Sequence, residues 1–182
     1  MVSRILRLKG FGVYDCDLRA RILMETDDFL KKDILESAGN EVYGADGKLN
    51  RRLLANIIFS DEVKRRKVNG AVHAAVMSDV EKWRTQSGHN IFVETAIPAE
   101  SGLISISDAV WLVEAPEKVR IARVMARDGR SREETALIIE TQRKEEQKIE
   151  KSGIRIERIE NSQDSSLLSH IDTLLSEVWK LV

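Results

Sequence analysis

Residues 3–17 read Ser-Arg-Ile-Leu-Arg-Leu-Lys-Gly-Phe-Gly-Val-Tyr-Asp-Cys-Asp. Ile5, Leu6 and Leu8 mark one apolar face of a helix, and Gly10 stands where a C-cap glycine belongs. Phe11–Tyr14 is short and apolar, which suits a buried parallel strand, and it closes on Asp15 and Asp17. Successive strand side chains point to opposite faces, so Asp15 and Asp17 are expected on one face and Cys16 on the other. Open α/β sheets bind ligands at the carboxyl ends of their strands. Chemistry is therefore expected first at this junction.

Outward from it, helical periodicity dominates. Leu18–Met24 reads as a helix with Leu18, Ile22 and Leu23 on one side and Arg19 and Arg21 available to a cleft. Thr26-Asp27-Asp28 is an N-cap signal for a helix over Phe29–Ser37 that Gly39-Asn40 ends. Asp46-Gly47 marks a turn. Leu49–Phe59 follows as a helix running into a loop, and Ser60-Asp61-Glu62 opens a long helix over 61–86 that stops at Gly88. Asn90–Glu94 and Asp108–Glu114 are the clearest strands, mostly apolar and expected to be buried on both faces. Pro116 opens a helix to about Arg127, and Ser131 a charged one to about Lys151. Gly153–Ile159 reads as an edge strand, 161–166 as polar loop and Leu167–Leu181 as a final amphipathic helix. Alternating strands and helices predict an α/β fold, a parallel sheet with helices on both faces.

Composition sets bounds. A chain of 182 residues, 42% hydrophobic and 32% charged, is expected to form one α/β domain with a real core. Lys+Arg of 29 against Asp+Glu of 30 leaves a net charge of −1. No bulk field then draws nucleic acid or an anionic membrane, and a phosphate-bearing substrate needs a local basic cluster. No apolar run approaches a membrane span and no secretory signal opens the chain, so a cytoplasmic location is expected. The single Cys16 excludes an internal disulfide and, with three scattered histidines, argues against a zinc site.

Several residues carry chemistry, each with a plainer reading beside it. An aspartate at the 15–17 junction would accept the proton of an attacking hydroxyl, or would cap the next helix. Arg21, four residues after Asp17, would guide an anionic substrate or pair with a neighbouring carboxylate. Arg120, Arg123 and Arg127 form one helical stripe, and Arg130 and Arg132 continue the cluster across a turn. Such a turn would close as a lid over phosphoryl oxygens, or is a solvated hairpin balanced by Glu133 and Glu134. Glu94 and Glu100 would help place a magnesium ion or a substrate amine, Glu100 being better read as a loop-stabilising acid. Trp83, Trp111 and Trp179 read as core, as does His73 by itself.

The order of these features resembles the dephospho-coenzyme A kinase family along nearly the whole chain. The matching segments are Gly-Val-Tyr-Asp-Cys-Asp-Leu-Arg-Ala-Arg at 12–21 and Asp46-Gly47-Lys48-Leu49-Asn50-Arg51 with Leu54 and Ile58-Phe59. His73, the run from Arg120 to Glu134 with Gln142, and Asn161 complete the match. The resemblance implies a P-loop nucleoside-monophosphate-kinase-like fold, three-layered, with a helical acceptor-binding segment at about 24–86 and a lid at about 123–134. It implies ATP and Mg²⁺, and transfer of the γ-phosphate to the ribose 3′-hydroxyl of dephospho-coenzyme A. By position, Asp17 would be the general base, with Asp15, Arg21, Asn50, Arg51 and His73 at the acceptor. Arg123, Arg127 and Arg130 would serve the lid, and Gln142 and Asn161 the nucleotide.

The 182 residues also depart from that family. Its first strand, its Gly-x-Gly-Ser-Gly-Lys-[ST] loop and the loop's lysine and magnesium-holding hydroxyl have no counterpart here, because Met1-Val2-Ser3 already falls within the first helix. The family's Ala-x-Pro-x-Leu-Phe-Glu run is loosened to Thr95-Ala96-Ile97-Pro98-Ala99-Glu100. A start placed too late, the favoured account, and a true loss of catalysis both fit. Either way these residues alone are expected to lack kinase activity, and the two strands beside the missing central one are expected to expose edges prone to self-association. A non-catalytic binder of coenzyme-A-like ligands and a helical interaction protein docking through 131–151 are the competing readings.

Overall fold

The computed structural model describes residues 1–87, 91–129, 131–162 and 166–178. The helix stop at Gly88, the lid residue Arg130, Trp179 and the end of the last helix lie outside the described residues. Contacts group the chain into two compact units, Phe11–Thr95 and Met1–Gly10 with Ala96–Val182.

The middle unit runs β1 (Gly12–Asp15), α2 (Cys16–Thr26), α3 (Asp28–Ala38), α4 (Arg51–Ser60), α5 (Glu62–Ser87) and β2 (Ile91–Glu94), after α1 (Val2–Leu8) of the other unit. β1 and β2 pair in parallel, Gly12 opposite Ile91 through Asp15 opposite Glu94, and the helices make the crossover between them. Local chemistry sets the boundaries. Asp27 Oδ1 accepts from Leu30 N at 2.9 Å to cap α3, and Gly39 closes it at φ 105°, a value that side-chain-bearing residues avoid. Leu30, Ile34 and Ala38 fall at successive i, i+4 positions and are buried on α3, which packs along α5. Val68, Val76 and Val80 are the buried residues of α5. Gly12 has a steric reason, since a Cβ there would come within 3.1 Å of the Trp83 ring.

The flanking unit adds to α1 a 3₁₀ turn at Leu103–Ile106, β3 (Ala109–Glu114), α6 (Glu117–Asp128), α7 (Arg132–Lys151), β4 (Arg155–Glu160) and α8 (Leu167–Val178). β3 and β4 pair in parallel, Ala109 opposite Arg155 through Glu114 opposite Glu160, across the α6–α7 crossover. Its interior includes Ile139, Ile149, Ile159, Ile171 and Leu174, with Leu6 of α1. Lys9 beyond α1 pairs with Asp172 of α8 at 2.5 Å. Gly129 ends α6 in the left-handed region at φ 64°, and Ser131 caps α7 in a complete capping box with Glu134. Ser131→Ala removes one half of that box, so thermal denaturation should report a loss of about 1 kcal/mol.

The parallel α/β architecture agrees with the sequence, and two details do not. β2 and β3 are only half-buried, and Val113 is 43% exposed. Among the described residues each pairs with a single strand, so an apolar run does not by itself secure burial of both faces. On α2, Leu18 and Ile22 are exposed while Cys16 and Leu23 are buried. The inward face follows Cys16, Ala20 and Leu23 at i, i+4 and i+7, not the apolar residues alone.

Candidate active site

At the end of β1 the strand stops one residue earlier than strand alternation requires. Asp15 is already the N-cap of α2, its Oδ1 accepting from Leu18 N at 3.0 Å. Asp17 is then an exposed residue of the first helical turn. The expectation that Asp15 and Asp17 share a strand face is therefore corrected, because the cap turns the chain helical before Asp17. Cys16, between them, is buried, and its thiol is pushed up to about 12 by burial and by the charges of Asp17 and Asp15.

Arg19 is not available to a cleft. Its Nε and Nη2 donate to Asp79 Oδ2 and Oδ1 at 2.8 and 2.9 Å, and Tyr14 Oη donates to Asp79 Oδ2 at 2.6 Å. The Arg19 hydrogen bonds, joined by that of Tyr14, hold the Asp79 carboxyl below its ordinary value despite partial burial. Burial, then the Asp79 hydrogen bond and charge, push the Tyr14 phenol up. Tyr14 also packs on Trp83, with ring centroids 5.5 Å apart.

Arg21 lies one turn beyond Asp17 and is exposed. The neighbouring-carboxylate pair does not form, since among the described residues no ion pair reaches Arg21. The 43–51 segment meets the second half of α2 instead. Tyr43 Oη donates to Met24 O at 2.7 Å, and Tyr43 bridges Leu49 across the Asp46-Gly47 turn. Arg51 pairs with Glu25 at 2.9 Å and donates to Arg21 O at 3.3 Å. Asn50 caps α4, its Oδ1 accepting from Leu53 N at 3.0 Å. Arg51 thus lies beside the Arg21 backbone. His73 sits half-buried on α5, with no hydrogen bond or ion pair among the described residues tying it to them.

In the flanking unit, Arg123 Nη1 donates to Asn161 O at 2.9 Å. Asn161 N in turn donates to Glu114 O at 2.7 Å, fixing the residue after β4 to the end of β3. Arg120 Nη1 reaches Gln142 Oε1 at 3.4 Å, while Arg120 Nε is buried without a hydrogen-bond partner. Arg127 is exposed in the last turn of α6. Three candidates spread over 38 residues, Arg123, Gln142 and Asn161, therefore gather around the basic stripe of α6.

Glu145 escaped the sequence reading. It is 3% exposed on α7, and its Oε1 accepts from Ala99 N at 2.6 Å and Glu100 N at 2.9 Å. Lys148 lies 3.3 Å from Glu145 Oε2 and 3.2 Å from Glu100 Oε2, so Glu100 is a loop-stabilising acid. A signal existed: Glu145 continues the buried stripe of Thr135, Ile139 and Ile149, where a carboxylate needs a partner.

The dephospho-CoA kinase family pattern matches residues 1–164. A dephospho-CoA kinase of Porphyromonas gingivalis is 40% identical over 134 residues, 73% of this chain and 66% of that protein. One of Bacteroides fragilis is 30% identical over 187 residues, 100% of this chain and 88% of that protein. Among solved structures, a Thermus thermophilus protein superposes with a TM-score of 0.76 at 29% identity, covering 100% of this chain and 90% of that one. The dephospho-CoA kinase from Campylobacter jejuni superposes at 0.68 with 19% identity, covering 98% and 90%, and speaks for the fold alone. By family pattern, the chain belongs to the dephospho-CoA kinases, a family of ATP-dependent phosphotransferases.

Proposed function

We propose that this chain carries the acceptor and lid parts of a dephospho-CoA kinase whose target is the ribose 3′-hydroxyl, with dephospho-CoA and ATP as its small-molecule substrates. The observation that supports it most is the exposed pair Asp17 and Arg21, one turn apart on the helix that directly follows a parallel strand. In this reading Asp17 takes the hydroxyl proton as general base. Asp15 shapes the turn, Arg21, Asn50 and Arg51 orient the acceptor, and His73 lies along its helical wall. Arg123, Arg127 and Arg130 supply cationic donors for phosphoryl oxygens, while Gln142 and Asn161 serve the nucleotide. We read all 182 residues as one kinase-like domain working in the cytoplasm. No helix among the described residues is long and apolar enough to cross a membrane.

A protein-built magnesium cage does not fit. Among the described residues no three His, Cys, Asp or Glu side chains cluster to hold a metal. Magnesium in kinases is held largely by substrate phosphates with one or two carboxylates.

The 182 residues contain no G-x-x-x-x-G-K-[ST], the loop whose amides and lysine cradle ATP phosphates. Losing one preorganised donor from such a site costs ~3–4 kcal/mol of transition-state stabilisation, and the loop supplies several. These residues by themselves are therefore expected to bind dephospho-CoA without turning over ATP. Thermal-shift titration with dephospho-CoA, then with Mg-ATP, together with a coupled turnover assay, tests this. A shift with dephospho-CoA and no turnover supports the reading. No shift with either ligand overturns the acceptor site, and clear turnover overturns the expected inactivity.

A further inference from the structure

The Tyr14–Asp79–Arg19 constellation joins β1, α2 and α5 across 60 to 65 residues of sequence, and the kinase reading leaves it without a role. Its geometry is specific. The planar Arg19 fork meets both oxygens of Asp79, and the phenol takes a further lone pair of the same carboxylate. Bidentate pairs of this kind fix orientation as well as distance. Arg19 is two residues from Asp17 and two from Arg21, and each residue of an α-helix turns about 100°. Asp17 and Arg21 therefore lie within about 40° of each other on one side of α2, with Arg19 about 200° from either. Anchoring Arg19 on α5 sets the rotation of α2 about its own axis, and that rotation decides where Asp17 and Arg21 are displayed.

We propose that Arg19 and Asp79 are positioning residues for the acceptor site: their ion pair, braced by Tyr14, locks the roll of the first two turns of α2. This rests on reading Asp17 and Arg21 as the acceptor face. A lysine at position 19 keeps the charge but not the fork, so it holds that roll less firmly. The clamp acts through the helix and touches no substrate atom.

The test is calorimetric titration of dephospho-CoA into the 182-residue chain and its variants Arg21→Ala, Asp79→Asn, Arg19→Lys and the double Arg21→Ala/Asp79→Asn. Amide exchange over residues 15–22 is followed in parallel. Asp79→Asn should weaken binding about tenfold, the order of a coupling between contacting residues, and should raise exchange at 17–21. Arg19→Lys should do the same to a smaller extent, and carries the test if Asp79→Asn does not fold. With Arg21 already removed, breaking the clamp should cost less than about twofold more, because coupled groups are not additive. If Asp79→Asn lowers the melting temperature but leaves affinity within about twofold, the clamp is structural only and the proposal falls. Fully additive losses in the double variant also overturn it. If the parent chain gives no binding heat, or Arg21→Ala binds as well as the parent, the acceptor reading itself has failed and the clamp's role with it.

Discussion

Glu145→Ala is expected to destabilise the fold by about 3 kcal/mol, read by urea denaturation, because it strips a buried carboxylate from two backbone donors. Ala99 N and Glu100 N lose their acceptor, and Lys148 loses one of its two carboxylates. Hydrogen bonds to charged groups are worth about 1.5–3 kcal/mol each, and a buried donor left unsatisfied adds its desolvation cost. Glu145→Gln keeps the Oε1 acceptor, so its loss should stay within about 1 kcal/mol. Amide exchange should show where the energy resides. In the alanine variant residues 99 and 100 exchange faster, and the centre of α8 is little changed. An alanine variant within about 0.5 kcal/mol of the parent would mean that water replaces the carboxylate, and that Glu145 is not what holds this turn.

Stability should also fall steeply between about pH 9 and 12. The Cys16 thiol moves from an ordinary 9.0 up to about 12, with burial the main cause. The Tyr43 phenol moves from 10.0 up to about 12, again chiefly through burial, and that of Tyr14 is raised as well. All three belong to the middle unit. Above the unfolded value and below the folded one, the unfolded chain has lost the proton while the native chain keeps it. The native state then binds more protons, and unfolding free energy decreases as pH rises. A tenfold difference in proton affinity between the two states corresponds to ~1.4 kcal/mol, so Cys16 alone is worth a few kcal/mol by the top of this window. Denaturation curves at pH 8, 9.5 and 11 would read the slope, and Cys16→Ala should flatten it. The same slope in Cys16→Ala would remove Cys16 from the explanation and leave the phenols. At neutral pH the buried thiol stays protonated and should resist alkylation in the folded chain.

Much of this protein was legible in the sequence because much of it is decided locally. Gly10 and Gly39 after the first and third helices, Asp46-Gly47 in its turn, and Ser131 with Glu134 at α7 each settle within four or five residues. Asp15 shows the limit of such reading. Base and cap were both open, and its hydrogen bond to Leu18 N made it a cap. That cap also carried Asp17 off the strand and onto a helix, where strand alternation no longer applied. The order of motifs along the chain identified the family, since order is a property of sequence and survives ignorance of packing.

Amino-acid order thus dictates the alternation of elements, their parallel pairing and the family to which they belong. Folding settles which charges are spent on architecture. Nothing near Arg19 in the sequence announces its partner, because Asp79 arrives from 60 residues away. Nothing marks Glu145 among the acids of α7 except a stripe position whose partners lie 45 and 46 residues upstream. The same holds for Leu18 and Ile22, apolar by type yet exposed. Caps and turns draw on neighbours that the chain always supplies. Buried polar groups draw on partners that only folding brings within about 3 Å, and their desolvation cost then makes those partners obligatory.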